Sequence, residues 1–295
     1  MQYQDFIENI KEHVRSQLDD SFRVDIHPVV KNNGTIYDGL IIIDPILNIS
    51  PTIYLNPFYQ RFLDGEPLES IYECILNSYH ENLPHENFDI SLFKDFEKAK
   101  PHIIFKLVNY KRNRRLLKEV PHVRLHDLAL IYVVAMSDFS NEFATILIHN
   151  EHLSFWDIKP YDLYSIALEN TPILLPYTFH TLEHLIEDYS DEFPSFIKDF
   201  PLSILTNHVK IHGASCMVYP GVLDEIANEL NDDLVIIPSS IHEVLILPAS
   251  EIIDSYSMQD FADMIKDTND TQLASDEVLS DHAYLYRKEA RQIVF

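Results

Sequence analysis

The sequence predicts an α+β fold, with antiparallel or mixed sheets built from hairpins and packed with amphipathic helices. Three observations point there. Apolar residues recur at helical spacing in several segments. Runs rich in β-branched residues come in pairs joined by short turn-forming stretches. Hairpins alternate with helices along the chain, whereas a doubly wound parallel sheet needs one strand per helix.

Tyr3, Phe6, Ile7, Ile10, Val14 and Leu18 follow the i, i+3, i+4, i+7 pattern of a helix with one apolar face. Residues 22–30 then alternate, with Phe22, Val24 and Ile26 against Arg23, Asp25 and His27. Asn32-Asn33-Gly34 tolerates positive φ and marks a hairpin turn. Residues 35–43 return as a strand, and Leu40-Ile41-Ile42-Ile43 reads as buried on both faces. A short helix over 56–63 stops at Asp64-Gly65, and Pro67 falls in the first turn of the next. Leu68, Ile71, Tyr72, Ile75, Leu76 and Tyr79 give that helix its apolar face. The stretch 81–89 is polar and aperiodic. It divides the chain into an N-terminal α+β subdomain, 1–95, and a C-terminal α+β domain, 96–295.

In the second part, residues 102–110 read as a strand, followed by a basic segment and by strands near 128–136 and 143–149. Residues 137–142 read as the hairpin connection between those two. Residues 160–168 and 179–189 read as helices, and 214–219 as a strand. Pro220 opens a helix with Val222, Leu223, Ile226, Ala227 and Leu230 on one side. Residues 234–237 and 244–247 are apolar without alternation, which places both in a sheet interior. Ser257 caps a last clear helix carrying Met258, Phe261, Ala262 and Ile265 inward.

Composition narrows the function classes. The chain of 295 residues is 46% hydrophobic and 12% aromatic, enough for one large core or two ordinary ones. Its net charge of −25 is uneven, with 22 Asp and Glu against 6 Lys and Arg from Glu183 onward. Such a surface repels nucleic-acid phosphates and anionic lipid heads, and attracts a protein with a basic surface. No run of about 18 apolar residues occurs, so no membrane span is expected. The start of the chain lacks the charged and apolar regions of a signal peptide. Cys74 and Cys216 form no Cys-x-x-Cys pair and read as buried thiols of a reducing, cytoplasmic compartment. The five glycines, Gly34, Gly39, Gly65, Gly213 and Gly221, assemble neither a dinucleotide fingerprint nor a phosphate loop, so no cofactor is expected.

Three stretches could carry chemistry. His180-Thr181-Leu182-Glu183-His184 matches His-x-x-Glu-His, in which two histidines four apart on a helix hold zinc and the glutamate acts as base. A third ligand is missing from the pattern, with Glu251 only one of many acidic candidates. His122/His126 and His208/His212 repeat the histidine spacing, which weakens it as a signal. Lys106, Lys111, Arg112, Arg114, Arg115 and Lys118 form the basic cluster, uninterrupted by acid, and its arginines suit phosphate or carboxylate. Pro238-Ser239-Ser240-Ile241-His242-Glu243 joins two apolar strands. Ser240 and His242 share one side there as a candidate nucleophile and base. Each stretch also has an ordinary reading, as solvated helix face, solvated loop and turn respectively, and the sequence favours the ordinary one.

Asn32-Asn33-Gly34, Pro51-Thr52-Ile53-Tyr54-Leu55-Asn56, Tyr219-Pro220-Gly221-Val222-Leu223, Pro238-Ser239-Ser240-Ile241-His242-Glu243 and Glu277-Val278-Leu279-Ser280-Asp281-His282 together resemble an uncharacterised bacterial family, a domain of unknown function found in anaerobic gut bacteria. The resemblance implies a bacterial, cytoplasmic protein of about this size, and brings no activity, cofactor or catalytic residue with it. The leading expectation is a non-catalytic cytoplasmic binding or regulatory protein whose acidic surface meets another protein. The alternative is a metal-dependent hydrolase using His180, Glu183 and His184.

Overall fold

The computed structural model of the chain describes residues 1–84, 87, 91–136, 145–181, 202–252 and 254–294. The chain forms two compact units, Met1–Ile90 and Ser91–Phe295. The architecture is α+β with antiparallel sheets throughout.

In the first unit, helix α1 (Tyr3–Ser16) precedes a hairpin of β1 (Arg23–Val30) and β2 (Ile36–Ile43), to which β3 (Thr52–Tyr54) adds. The hairpin closes where the sequence places its turn. Asn33 and Gly34 take φ of 59° and 73°, the left-handed region that Asn and Gly enter at least cost. Helices α2 (Leu55–Leu63) and α3 (Leu68–Glu81) complete the unit. Phe6, Ile10, Val14, Leu40, Ile42, Leu55, Ile71 and Ile75 form its core. The strand β2 is more deeply buried on one face than on the other. Leu40 and Ile42 are fully buried, but Ile43 is 41% exposed, because the helices cover a single face of this sheet.

The second unit begins with two short helices, α4 (Ser91–Lys94) and α5 (Phe96–Ala99). Strands β4 (Ile103–Asn109), β5 (His122–Leu125), β6 (Leu128–Ala135) and β7 (Thr145–Leu147) follow, in a sheet where β6 is flanked by β4 on one side and by β5 and β7 on the other. The connection expected at 137–142 lies outside the described residues. All of β6 is buried, since both of its faces meet apolar layers. Leu128, Leu130, Tyr132 and Val134 point into the main core, while Ala129 and Ile131 pack on Leu117 and Val120. Helices α6 (Asn150–Trp156) and α7 (Pro160–Leu174) pack against this sheet. The free edge of β4 is covered by side chains instead of a strand. Phe105 donates its N–H to Thr171 Oγ1 at 3.0 Å, Leu107 donates to Ser215 Oγ at 3.1 Å, and Asn170 Nδ2 donates to the Ile103 carbonyl at 3.1 Å. These bonds satisfy buried backbone groups that would otherwise cost several kilocalories between them.

The six-stranded sheet runs β13-β12-β10-β11-β9-β8, all antiparallel. Its members are β8 (Tyr177–Thr181), β9 (Ser203–Asn207), β10 (Leu234–Pro238), β11 (Val244–Pro248), β12 (Tyr284–Arg287) and β13 (Gln292–Val294). Helix α8 (Val222–Glu229) starts at Gly221, whose φ of 83° turns the chain into it. Helices α9 (Ala249–Ile252) and α10 (Met258–Thr271) follow β11. Strand β10 lies in the interior with apolar cover on both faces. Leu234 and Ile236 face the main core, and Val235 packs with Phe261 and Ile265 of α10. Ser257 caps α10 reciprocally with Asp260.

Two expected elements are different. Residues 177–181 are the strand β8, where a helix was expected from 179. Tyr177 and Phe179 pack on the core while His180 points out, an alternation too short to register against the apolar run that follows. The rest of that expected helix lies outside the described residues. The expected strand at 214–219 is a 3₁₀ helix, Gly213–Val218. Its first residue, Gly213, lies against β9 and the β10–β11 loop, and the Ala214 N–H donates to the Ile241 carbonyl at 3.3 Å.

The burial of β11 sets an expectation. Ile246 is fully buried, so Ile246→Ala should lower unfolding stability by about 2–5 kcal/mol through cavity formation. Leu63, 56% exposed, should cost less than about 0.5 kcal/mol when changed to Ala. Denaturant melts of the two variants check the ordering.

Candidate functional site

The loop between β10 and β11 is a tight turn bonded by its own backbone. Ser240 donates its N–H to the Glu243 carbonyl at 3.3 Å, and its Oγ accepts from the backbone N–H of His242 at 2.9 Å. A serine hydroxyl commonly bonds a backbone group in this way at a turn. The His242 ring is engaged elsewhere. Its Nδ1 accepts from the backbone N–H of His212 at 3.3 Å, so its other nitrogen, Nε2, carries the ring proton when the ring is neutral. The hydroxyl of Ser240 and the ring of His242, which a nucleophile and base would join to each other, thus each meet a different backbone group.

His212 stands beside His242, its ring nearly parallel at 11° with centroids 5.8 Å apart. It takes φ of 52°, and Lys106 Nζ approaches its Nε2 at 3.4 Å. Sequence reasoning paired His212 with His208 and missed this arrangement, because a left-handed His before a glycine leaves no periodic trace. Gly213 explains the closeness. A Cβ built there would meet Thr206 Oγ1 at 2.1 Å, the His242 carbonyl at 2.5 Å and the Asn207 amide at 2.8 Å. Thr206 also donates its hydroxyl to the His242 carbonyl at 2.8 Å. Cys216, one turn on, is fully buried, and burial pushes its thiol up to about 12, so it stays protonated at neutral pH. Cys74 is only half-buried and accepts from Arg61 Nη2 at 3.3 Å.

A second polar group gathers around Asp127, in the turn between β5 and β6. Its carboxylate accepts from Ser280 Oγ at 2.6 Å and from the Tyr284 hydroxyl at 2.9 Å. Burial, with Asp127 beside it, holds the Tyr284 phenol well above its ordinary value. Asn269 of α10 donates to the Ser280 carbonyl at 3.0 Å and to Asp281 Oδ1 at 2.8 Å, and Asn109 donates to the Leu279 carbonyl at 3.0 Å. The Ile241 N–H donates to the Glu277 carbonyl at 2.8 Å, so segments 238–243 and 277–282 meet directly. Asn109, at the end of an apolar run, was the available signal for this network, whereas Asn269 lies in a polar stretch and gave none.

The basic cluster divides. Lys106 lies within β4, half-buried beside His212. Arg112 donates Nη2 to both carboxylate oxygens of Asp281 at 3.2 Å. Lys111, Arg114, Arg115 and Lys118 are exposed. His180 is exposed on β8, and Glu183 and His184 lie outside the described residues. His122 and Arg124 are exposed on β5, and Glu251 on α9. Among the described residues no three His, Cys, Asp or Glu side chains stand together as a metal-holding group, and no helix is long and apolar enough to cross a membrane.

A model of a family described as a family of unknown function, DUF5688, matches residues 3–288. No curated protein and no solved structure matches the chain.

The contact at Gly213 yields a sharp expectation. Gly213→Ala should destabilise the protein by about 1–3 kcal/mol or more, since two of the three atoms in the way belong to backbone and cannot swing aside. Adding Thr206→Ala should not restore the loss. Chemical denaturation of the single and double variants measures both.

Proposed function

The chain belongs to the DUF5688 family, and from that premise we propose that it is a non-catalytic, cytoplasmic binding or regulatory protein whose acidic surface engages a partner protein with a basic surface. The observation that carries the reading is on α10. Phe261, Ile265 and Asn269 are buried, whereas Asp260, Asp263, Asp267 and Asp270 recur three or four residues apart on the exposed opposite side. Asp260 belongs to the cap and Asp263 accepts from Gln259 at 2.8 Å. Asp267 and Asp270 stand near the C-terminal end, where the helix dipole opposes negative charge, with Lys266 as the helix's single cation among them and no basic residue in the last turn. A helix that gives up stability in this way is explained by a requirement other than folding. The engagement of Ser240 and His242 with backbone groups supports the non-catalytic part of the reading.

The metal-dependent hydrolase reading rests on the His180, Glu183, His184 pattern alone, and His180 stands on a strand, where the pattern requires a helix.

The test uses a fluorescent lysine-rich peptide and the full chain. Binding should be salt-sensitive, and the combined change Asp263→Asn, Asp267→Asn, Asp270→Asn should weaken it about fivefold or more. The change Asp5→Asn, Glu8→Gln, Glu12→Gln, which removes the same charge from α1, should leave it nearly unaltered. Equal effects of the two triple changes would contradict a specific acidic surface. Elemental analysis finding about one zinc per chain, lost on His184→Ala, would instead favour the hydrolase.

A further inference from the structure

We propose that the turn following β4, residues 110–118, is a docking surface for an acidic peptide segment of another protein. The turn shares Asp281 as a hydrogen-bond partner with α10 but carries the opposite charge, and the inference does not rest on the acidic surface above. Lys111, Arg114, Arg115 and Lys118 are exposed, and none of their side chains has an ion-pair partner among the described residues. In a chain with 47 acidic residues and 22 basic ones, four such cations within eight residues are a marked departure from even mixing.

The backbone of the turn is also held by hydrogen bonds of buried side chains. Asn109 and Asn113 are buried beneath it, at 6% and 3% exposure. Asn113 Nδ2 donates to the Asn109 carbonyl at 2.9 Å, Asn109 Oδ1 accepts from the Arg112 N–H at 3.0 Å, and Leu117 is buried at its far end. Arg112 is spent on Asp281 and fastens the turn to segment 277–282. The sequence cluster is thereby sorted, with Arg112 as anchor and the other four cations as the presenting set. The backbone that carries the four cations is held in advance, so ordering on binding falls on their side chains alone. The planar guanidinium groups of Arg114 and Arg115 each match a carboxylate bidentately.

The choice of a peptide over a nucleic acid follows from the surroundings. Arg124 lies over the Tyr110 ring at 4.3 Å, so one face of the aromatic ring at the start of the turn is already taken as a stacking platform. A long polyanion would also meet the repulsion of a chain at −25. A short segment of about six residues spans about 20 Å, comparable with the turn itself, and meets less of the acidic remainder than a long polyanion does.

The experiment measures fluorescence anisotropy of a labelled hexaglutamate peptide with the full chain. The peptide should bind at low salt and weaken about tenfold as salt rises from about 50 mM to about 300 mM. Arg114→Ala with Arg115→Ala should weaken binding about fivefold or more with an unchanged thermal melt, because both side chains are exposed. Lys111→Gln with Lys118→Gln should act in the same direction and guards against a local effect of the first pair. Absence of binding at low salt, undiminished binding in both variants, or tighter binding of a single-stranded oligonucleotide than of the peptide would overturn the proposal.

Discussion

The Asp127 carboxylate accepts the hydroxyls of Ser280 and Tyr284, and through these two bonds the β5–β6 turn holds the segment that leads into β12. Other contacts of the second unit converge on the same place. Asn109, at the end of β4, holds Leu279, and Asn269 of α10 holds Ser280 and Asp281. Ile241, in the β10–β11 loop, holds Glu277. Two sheets and a helix are therefore tied to one irregular segment that makes no ladder of its own. The network is partly buried and fully bonded at its centre, the condition under which polar groups inside a protein specify one arrangement.

The same logic governs the edge of β4 and the Gly213 contact. Thr171 and Ser215 replace a missing strand, which lets α7 and the 3₁₀ helix lie directly on β4. Gly213 then brings backbone to backbone against Asn207 and His242, and this is what sets His212 beside His242. The histidine pair is thus a consequence of packing, and its ring contacts run to a backbone amide and to Lys106. The functional readings proposed above rest instead on charge displayed outward, on α10 and on the turn after β4.

Much of the architecture was legible because single-faced burial writes a period into the sequence. α1, α3, α8 and α10 bury one stripe each, and the Asn33-Gly34 turn and the Ser257 cap have strong local chemistry. The interior position of β10 and β11 was readable from unbroken apolar runs. What escaped was decided by tertiary contact. β5 exposes His122 and Arg124 and has too few apolar residues to announce itself. Residues 214–219 form a short apolar run that reads as a strand, yet Gly213–Val218 is a 3₁₀ helix, and its first residue lies too close to Thr206, Asn207 and His242 to admit a side chain. The β-strand at His180 shows the opposite failure, a motif whose chemistry presumes a helix. The basic cluster was visible as a set, yet the pairing of Arg112 with Asp281, 169 residues away, could not be inferred from spacing.

The central claim is that the polar residues around segment 277–284 serve the fold through Asp127. A double-mutant cycle on unfolding stability tests it most directly, with Asp127→Ala, Tyr284→Phe and the two combined. The account predicts a coupling of about 0.5–3 kcal/mol, as for residues sharing one buried network. Effects that add to within about 0.3 kcal/mol would contradict it and would release Asp127 and Tyr284 for some other role.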